Sequence, residues 1–267
     1  MRVVVNYKRN VMMVVEYPIA KSNEIEQLFQ DHKLLKTVIQ FAFREKKGKV
    51  YVSDINNPEA AFLQIGFIFL GGDPSSDQVP HLIDALPVGP QVIVPNDDWA
   101  TILTETFGEN VKRIQRFGFS HEHLNLNHLR ALKKNLHSDF VLERIDLDTA
   151  RKIPRSLAPA IPFYFGSPES FIENGFGFCI KHNGDVVSTA MTAMPFEKEF
   201  EIEVDTMNSP EYRRKGLATV ASAALIEHAL LKNLIPIWDA ANEASKALAL
   251  KLGYSDLTPY DAFTRLH

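Results

Sequence analysis

Apolar and polar positions along this chain recur with two periods, and each change of period marks an element. Residues 23–45, NEIEQLFQDHKLLKTVIQFAFRE, carry apolar side chains at helical spacing and predict one helix. KVYVSD predicts a strand, INNPE a loop, and the unbroken apolar run AAFLQIGFIFL (60–70) a buried strand. GGDPSS at 71–76 is turn chemistry. HLIDAL predicts a short helix, QVIVP a strand, DDWATILTETFG a helix capped by Asp97 or Asp98, and RIQRFGFS another strand. Residues 1–20, two Val-rich runs around a polar patch, match no element, and Met12 and Met13 stand there as internal starts.

Residues 121–139 are polar and loosely patterned. They place a domain boundary near 135–139, giving an α/β domain over 1–137 and a second over 138–267. In the second, FVLERI predicts a strand, DLDTARKI a helix stopped by Pro154, and SPESFIENG a helix capped by Ser167 with Pro168 at its first position. FGFCIKHNGDVVSTAMTA (176–193) predicts a hairpin turning at Asn183-Gly184. EFEIEVDTM (199–207) alternates acidic and apolar residues as a third strand. A helix from Gly216 to about Lys232, a strand LIPIWDA (234–240) and a helix NEASKALALKL ended by Gly253 follow, and the tail adds one or two strands. No internal repeat shows by direct identity.

Composition changes this picture little. The 267 residues are 45% hydrophobic and 23% charged, as in an ordinary globular protein. A net charge of −4 argues against a nucleic-acid partner. The one cysteine, Cys179, allows no internal disulfide and fits a reducing, cytoplasmic setting. The N-terminus shows no cleavage-site pattern, and the longest apolar run is too short to span a bilayer, so no membrane association is expected.

Charge matters locally. Arg213, Arg214 and Lys215 run straight into Gly216 at a predicted helix mouth. Free N–H groups and the helix dipole make such a mouth an anion site, glycine lets the backbone approach, and basic side chains can surround a phosphate. Leu217, Val220, Ala221, Ala224 and Leu225 share one face of that helix. The bland reading is a solvated basic turn. In the acidic strand, Glu201, Glu203 and Asp205 lie two apart and share a face. Crowded carboxylates raise one another's pKa, which suits a general base; the bland reading is a polar stripe opposite Phe200, Ile202 and Val204.

Other chemistry-bearing residues read as structure. His121, His123 and His128 follow no metal-ligand spacing, and no metal is expected. His228, Cys179, Trp99 and Trp238 read as packed residues. Phe163, Tyr164 and Phe165 read as core.

In order and spacing, Arg213-Arg214-Lys215-Gly216-Leu217-Ala218, then Asn242-Glu243-Ala244-Ser245 leading to Gly253-Tyr254, resemble two motifs of the GNAT acyltransferase superfamily. The first half is similar to the companion domain of a two-part bacterial GNAT family through FIFLGGDPSS and VIVPNDDW, with FGFCIKHNGDVVSTA as a further cue in the second half. The resemblance implies a mixed, largely antiparallel GNAT sheet flanked by helices, preceded by a degenerate GNAT-like α/β domain without its own phosphate loop. It implies transfer of an acetyl group from acetyl-CoA to the amine of a small molecule by direct attack. The amides of Arg214, Lys215, Gly216, Leu217 and Ala218 would hold the pyrophosphate, with Arg213 and the Thr219 hydroxyl nearby. Asp205, Thr206 and Met207 would pair by backbone with the pantetheine arm, and Asn242 and Ser245 would contact the pantetheine or phosphate region. The resemblance favours Glu201 as base, with Glu203 and Asp205 as alternatives, and it places Phe163, Tyr164 and Phe165 near the acceptor pocket, where they would form an aromatic wall.

One departure stands out. Many relatives carry a Tyr as general acid where this chain has Ala249 after Leu248. An acyl-CoA-binding sensor without turnover, or a tandem-GNAT aminoacyl transferase, are the alternative readings.

Overall fold

The structure is a computed structural model describing residues 14–19 and 23–267. Met12, Met13 and the rest of 1–13 lie outside the described residues. By internal contact the chain forms two compact units, one running to Arg116 and taking in Tyr260–His267, the other Phe117–Pro259. The change of unit comes earlier than the shift in composition near 135–139.

The first unit opens with β1 (Val15–Tyr17), inside the stretch that matched no element. α1 (Asn23–Glu26), one 3₁₀ turn (Gln27–Phe29) and α2 (Lys36–Arg44) follow. The single helix expected over 23–45 is thus broken. His32 sits in the break and its Nε2–H donates to Leu70 O at 2.7 Å, a tertiary bond that a continuous helix would not supply.

Next come β2 (Lys49–Val52), β3 (Ala60–Ile65) and β4 (Phe67–Gly72). The apolar run 60–70 is two strands, because the chain reverses at Gly66 and sets Ile65 opposite Phe67. α3 (Val79–Asp84), β5 (Gln91–Ile93), α4 (Asp97–Phe107) and β6 (Val111–Ser120) complete this run. The cap of α4 is Asn96, whose side chain accepts the Trp99 N–H at 3.3 Å. Asp97 and Asp98 occupy the first turn instead, where negative charge complements the helix dipole.

The second unit contains α5 (Leu126–Lys133), β7 (Phe140–Arg144), α6 (Leu147–Lys152), one π-helical turn (Ile161–Phe165) and α7 (Pro168–Asn174). β8 (Gly177–His182), β9 (Asp185–Phe196), β10 (Glu199–Thr206), α8 (Leu217–Leu231), β11 (Ile235–Ile237), β12 (Asp239–Ala240) and α9 (Glu243–Leu252) follow, and then β13 (Ser255–Arg265), which belongs to the first unit from Tyr260 on. The sheet of the second unit has the order β11-β10-β9-β8-β7 and is antiparallel except for β10 against β11. The hairpin turns as expected at Asn183 (φ 52°) and Gly184 (φ 90°), the positive pair that a two-residue turn of this hand requires. Ser167 caps α7 by accepting the Ser170 N–H at 3.1 Å. LIPIWDA is two short strands rather than one.

α8 buries the expected face and a second one besides. Leu217, Val220, Ala221, Leu225 and Ala229 pack on Ile180, Val187, Ala190 and Phe200 of the sheet. Ala223 and Ile226 pack on Phe117, Leu129, Trp238, Ala249 and Leu252. A helix covered on both sides has no polar stripe to read. Its one buried acid, Glu227, is paired with Arg130 at 2.7 Å and with Lys133, both on α5. These pairs and the apolar packing group residues 117–137 with the second unit.

The two halves repeat one order of elements. β1, α1, α2, β2, β3, β4, α3, β5, α4, β6 is matched by β7, α6, α7, β8, β9, β10, α8, β11 with β12, α9, β13. In both, a hairpin leads through a crossing helix to a parallel strand, β4 to β5 and β10 to β11. Among the described residues no helix is long and apolar enough to cross a membrane.

Candidate active site

The site begins where two parallel strands part. β10 pairs with β11 only over Glu199–Glu201 against Ile235–Ile237. The chain then turns away at Trp238, and β12 pairs with Phe117 and Gly118 instead. The Trp238 indole N–H donates to Ser245 Oγ at 3.1 Å and its ring packs on Tyr254, which fixes the divergence. Beyond Glu201, β10 keeps β9 on one side, from Ile202 opposite Thr192 to Thr206 opposite Ser188. Its other edge has lost its partner.

Backbone alternation says which groups face that opening. Lys198 O accepts the Ile235 N–H at 2.7 Å, and the Met207 N–H donates to Val187 O at 2.9 Å. Even-numbered residues of β10 therefore point toward β11 and odd-numbered ones toward β9. The C=O of Ile202 and the N–H and C=O of Val204 and Thr206 face the wedge, a ready edge for an extended amide chain. Of the three residues expected to offer backbone there, Thr206 does. The Met207 N–H is committed to β9, and Asp205 O accepts the Ser188 hydroxyl at 3.0 Å. Val204 was not anticipated, because the sequence does not say where β11 ends its pairing.

At the end of the wedge lies the mouth of α8. Gly216 is its N-cap with φ 78° and ψ 9°, and no side chain caps the helix. Arg214 is also left-handed at φ 59°. Left-handed residues of this kind are the ones an anion nest uses to aim successive N–H groups at one point. The first helical bond runs from Val220 N to Gly216 O at 3.1 Å, so the N–H groups of Leu217, Ala218 and Thr219 precede the ladder. Arg213, Arg214 and Lys215 are exposed, while Leu217 and Thr219 are buried. A Cβ on Gly216 would meet nothing within 4 Å, so glycine is there for its dihedral and for whatever approaches it.

Glu201, Glu203 and Asp205 line the face of β10 away from α8, opposite Ala193, Met191 and Thr189 of β9. Met191 and Ala193 belong to an apolar cluster with Ile161, Phe165 and Phe171, which dries this face. Glu203 is half-buried. Burial, and next the neighbouring Asp205, push its carboxyl up to about 7, although the Ala160 N–H bonded to it works the other way. Asp205 is raised by burial. Glu201, the residue the resemblance favours as base, is only 6% exposed.

The π-helical turn is what brings Ala160 to Glu203. Its closing bond runs from Gly166 N to Ile161 O at 2.9 Å, and such turns concentrate at functional sites. Phe163, Tyr164 and Phe165 divide into exposed, half-buried and buried. The Tyr164 phenol is held protonated by burial, then by Glu203 and Glu201. Pro162 and Gly166 flank the aromatic run, but nothing in the pattern marks a π-turn.

The remaining residues have structural partners. Asn242 caps α9 by accepting the Ser245 N–H at 3.0 Å. Ala249 is fully buried against α8, so the position of the expected general acid is core. Tyr254 donates its hydroxyl to Pro236 O at 3.0 Å. His123 bonds Ser255 Oγ, and His128 Nε2–H donates to Lys251 O. His228 packs against Phe176 and Phe178, with burial lowering its pKa. Cys179 is fully buried, its thiol pushed up to about 11 by that burial. Among the described residues no group of three or more His, Cys, Asp and Glu is placed to hold a metal.

Comparison with known proteins converges on this architecture. The family model described as GNAT acetyltransferase matches residues 26–263. An uncharacterized N-acetyltransferase of Bacillus subtilis, YdfB, is 25% identical over 254 residues, covering 91% of this chain and 95% of the relative. The crystal structure of a GCN5-related N-acetyltransferase-like protein from Streptococcus suis is 30% identical, with a TM-score of 0.76 over 90% of this chain and 96% of that one. A GNAT-family acetyltransferase from Colwellia psychrerythraea shares the fold at 10% identity, with a TM-score of 0.56 over 95% of this chain and 98% of its own.

Proposed function

This chain belongs to the GNAT acetyltransferase family, and we propose that it transfers the acetyl group of acetyl-CoA to the amine of a small molecule by direct attack. The observation that carries the reading is the parted pair β10 and β11 ending at the uncapped mouth of α8. Acetyl-CoA is a diphosphate joined to an extended diamide arm and a thioester. The amides of Arg214 to Ala218, with Arg213 and Lys215 around them, suit the diphosphate. The outward backbone of Val204 and Thr206 suits the pantetheine amides.

Glu203 is the base in this proposal, in place of Glu201. The acceptor ammonium gives a proton to the Glu203 carboxylate and the freed nitrogen attacks the thioester carbon. The new N–C bond forms as the carbonyl π pair moves to oxygen. That pair then returns, the C–S bond breaks, and sulfur leaves with its electrons. The nitrogen loses its second proton to give the amide, and the thiolate takes one to give CoA–SH. Ala249 offers no hydroxyl for that last step, so the thiolate is protonated from solvent.

Calorimetry with acetyl-CoA and thiol release over a panel of amines test this. Micromolar binding with amine-dependent release is expected, the release slowed about a hundredfold or more by Glu203→Gln with binding retained. Failure to bind acetyl-CoA overturns the reading; binding without release for any amine favours a sensor.

A further inference from the structure

The π-helical turn and the acid row meet, and their chemistry narrows the acceptor. Resting on the acetyl-transfer reading above, we infer that the acceptor is an amine carrying a second positive charge, which Asp205 and the face of Phe163 hold while Glu203 takes the proton from the reacting nitrogen.

Three independent features lead there. First, among the described residues neither Glu203 nor Asp205 is paired with a lysine, arginine or histidine. The partner identified for the Glu203 carboxylate is the Ala160 N–H. Half-buried charge without a counter-ion is costly, and a cationic ligand relieves it. Second, Phe163 is 60% exposed and is held edge-on to Tyr164 at 4.9 Å by the same turn that sends Ala160 to Glu203. An aromatic face kept in water next along the chain to Tyr164, whose phenol senses Glu203 and Glu201, attracts ammonium rather than anions. Third, residues two apart on a strand lie roughly 7 Å apart. That is about the span of a four-carbon chain between two nitrogens, so one ammonium can stand at Glu203 while the other stands at Asp205. An acceptor with a carboxylate in place of the second ammonium would face like charge.

Three acceptors of matched length separate the possibilities: putrescine, n-butylamine and γ-aminobutyrate. Thiol release should give kcat/KM falling in that order, with putrescine about tenfold above n-butylamine, the range of one partly buried charge pair. Calorimetry of the same amines with CoA-bound protein should give the same order. That keeps the inference testable even where no acceptor turns over. Phe163→Ala, which removes an exposed ring, and Asp205→Asn should each shrink the ratio of putrescine to n-butylamine severalfold. Equal handling of putrescine and n-butylamine, or preference for γ-aminobutyrate, overturns the inference while leaving acetyl transfer intact. Loss of acetyl-CoA binding itself would sink the parent reading instead.

Discussion

Three carboxylates two residues apart are identical in pattern, and burial tells them apart. Glu201 lies sealed in the fold, Asp205 is half-buried with its pKa raised by that burial, and Glu203 sits between them with its carboxyl raised from 4.5 to about 7. The sequence shows the shared face but not that Glu201 is buried while Glu203 and Asp205 stay partly exposed. A base of this kind is charged above its folded pKa, so kcat at saturating amine should rise through about pH 7 and level off. Stability should move the other way. Below about pH 4.5 Glu203 is protonated folded or unfolded and costs nothing; between 4.5 and about 7 the unfolded chain releases a proton that the folded chain keeps, so stability falls. The full cost above that window is of order 3 kcal/mol. Glu203→Gln should therefore lower kcat by about a hundredfold or more. The same variant should be more stable by ~2 kcal/mol at pH 8 and unchanged at pH 4 in urea unfolding. Activity and stability lost together would mean that Glu203 is only structural.

At the level of elements, chemistry that sits in contiguous residues was legible and chemistry made by divergence was not. The basic loop, Gly216 and the helix that begins at Asn242 could be read because a helix mouth is local. The wedge could not, because it depends on β11 ending after Ile237 and on β12 finding Phe117 and Gly118 far along the chain. The buried apolar run 60–70 failed for a related reason: periodicity vanishes when both faces of a strand are covered, so the reversal at Gly66 left no mark. Two predictions belong to this scale. Gly216→Ala meets open space, so only the left-handed φ of 78° is strained. It should cost ~1–2 kcal/mol of stability and raise the acetyl-CoA Kd several-fold in calorimetry, whereas Gly216→Asn, more tolerant of that dihedral, should recover most of the stability. Glu227 ties α8 to α5. Burial pulls its pKa up, but Lys133 and Arg130 outweigh it and leave it lowered. The pair thus stabilises above the ordinary Glu pKa and is lost as pH falls through the folded value. Glu227→Gln should cost ~1–3 kcal/mol at pH 7 and progressively less in acid, as read from urea midpoints against pH.

For the whole molecule, the order of elements repeats although no identity between the halves does, so the duplication is visible in topology alone. The halves differ where the chemistry lies. The link from β10 to α8 is basic, uncapped and left-handed at Arg214 and Gly216, and α8 runs from Leu217 to Leu231. The corresponding link from β4 to α3 carries Asp73 and Asp77 and leads into a helix of only 6 residues. Its polar groups satisfy one another: Asp73 accepts the Ser75 N–H at 2.9 Å and hydroxyl at 2.7 Å, Ser76 donates to Glu59 at 2.7 Å, and Gln78 donates to Asn57 O at 2.8 Å. Donors already spent, acids in the loop and a short dipole disfavour a diphosphate, whereas the proposed acetyl-CoA site at the mouth of α8 has the opposite features. The chain should therefore bind one acetyl-CoA, not two. Calorimetric titration should give a stoichiometry of one per chain. Replacing Arg213, Arg214 and Lys215 together by Glu should abolish that single event and leave thermal unfolding nearly unchanged, since all three side chains are exposed. A second binding event, or one that survives the triple replacement, would mean that the first half has kept a site of its own.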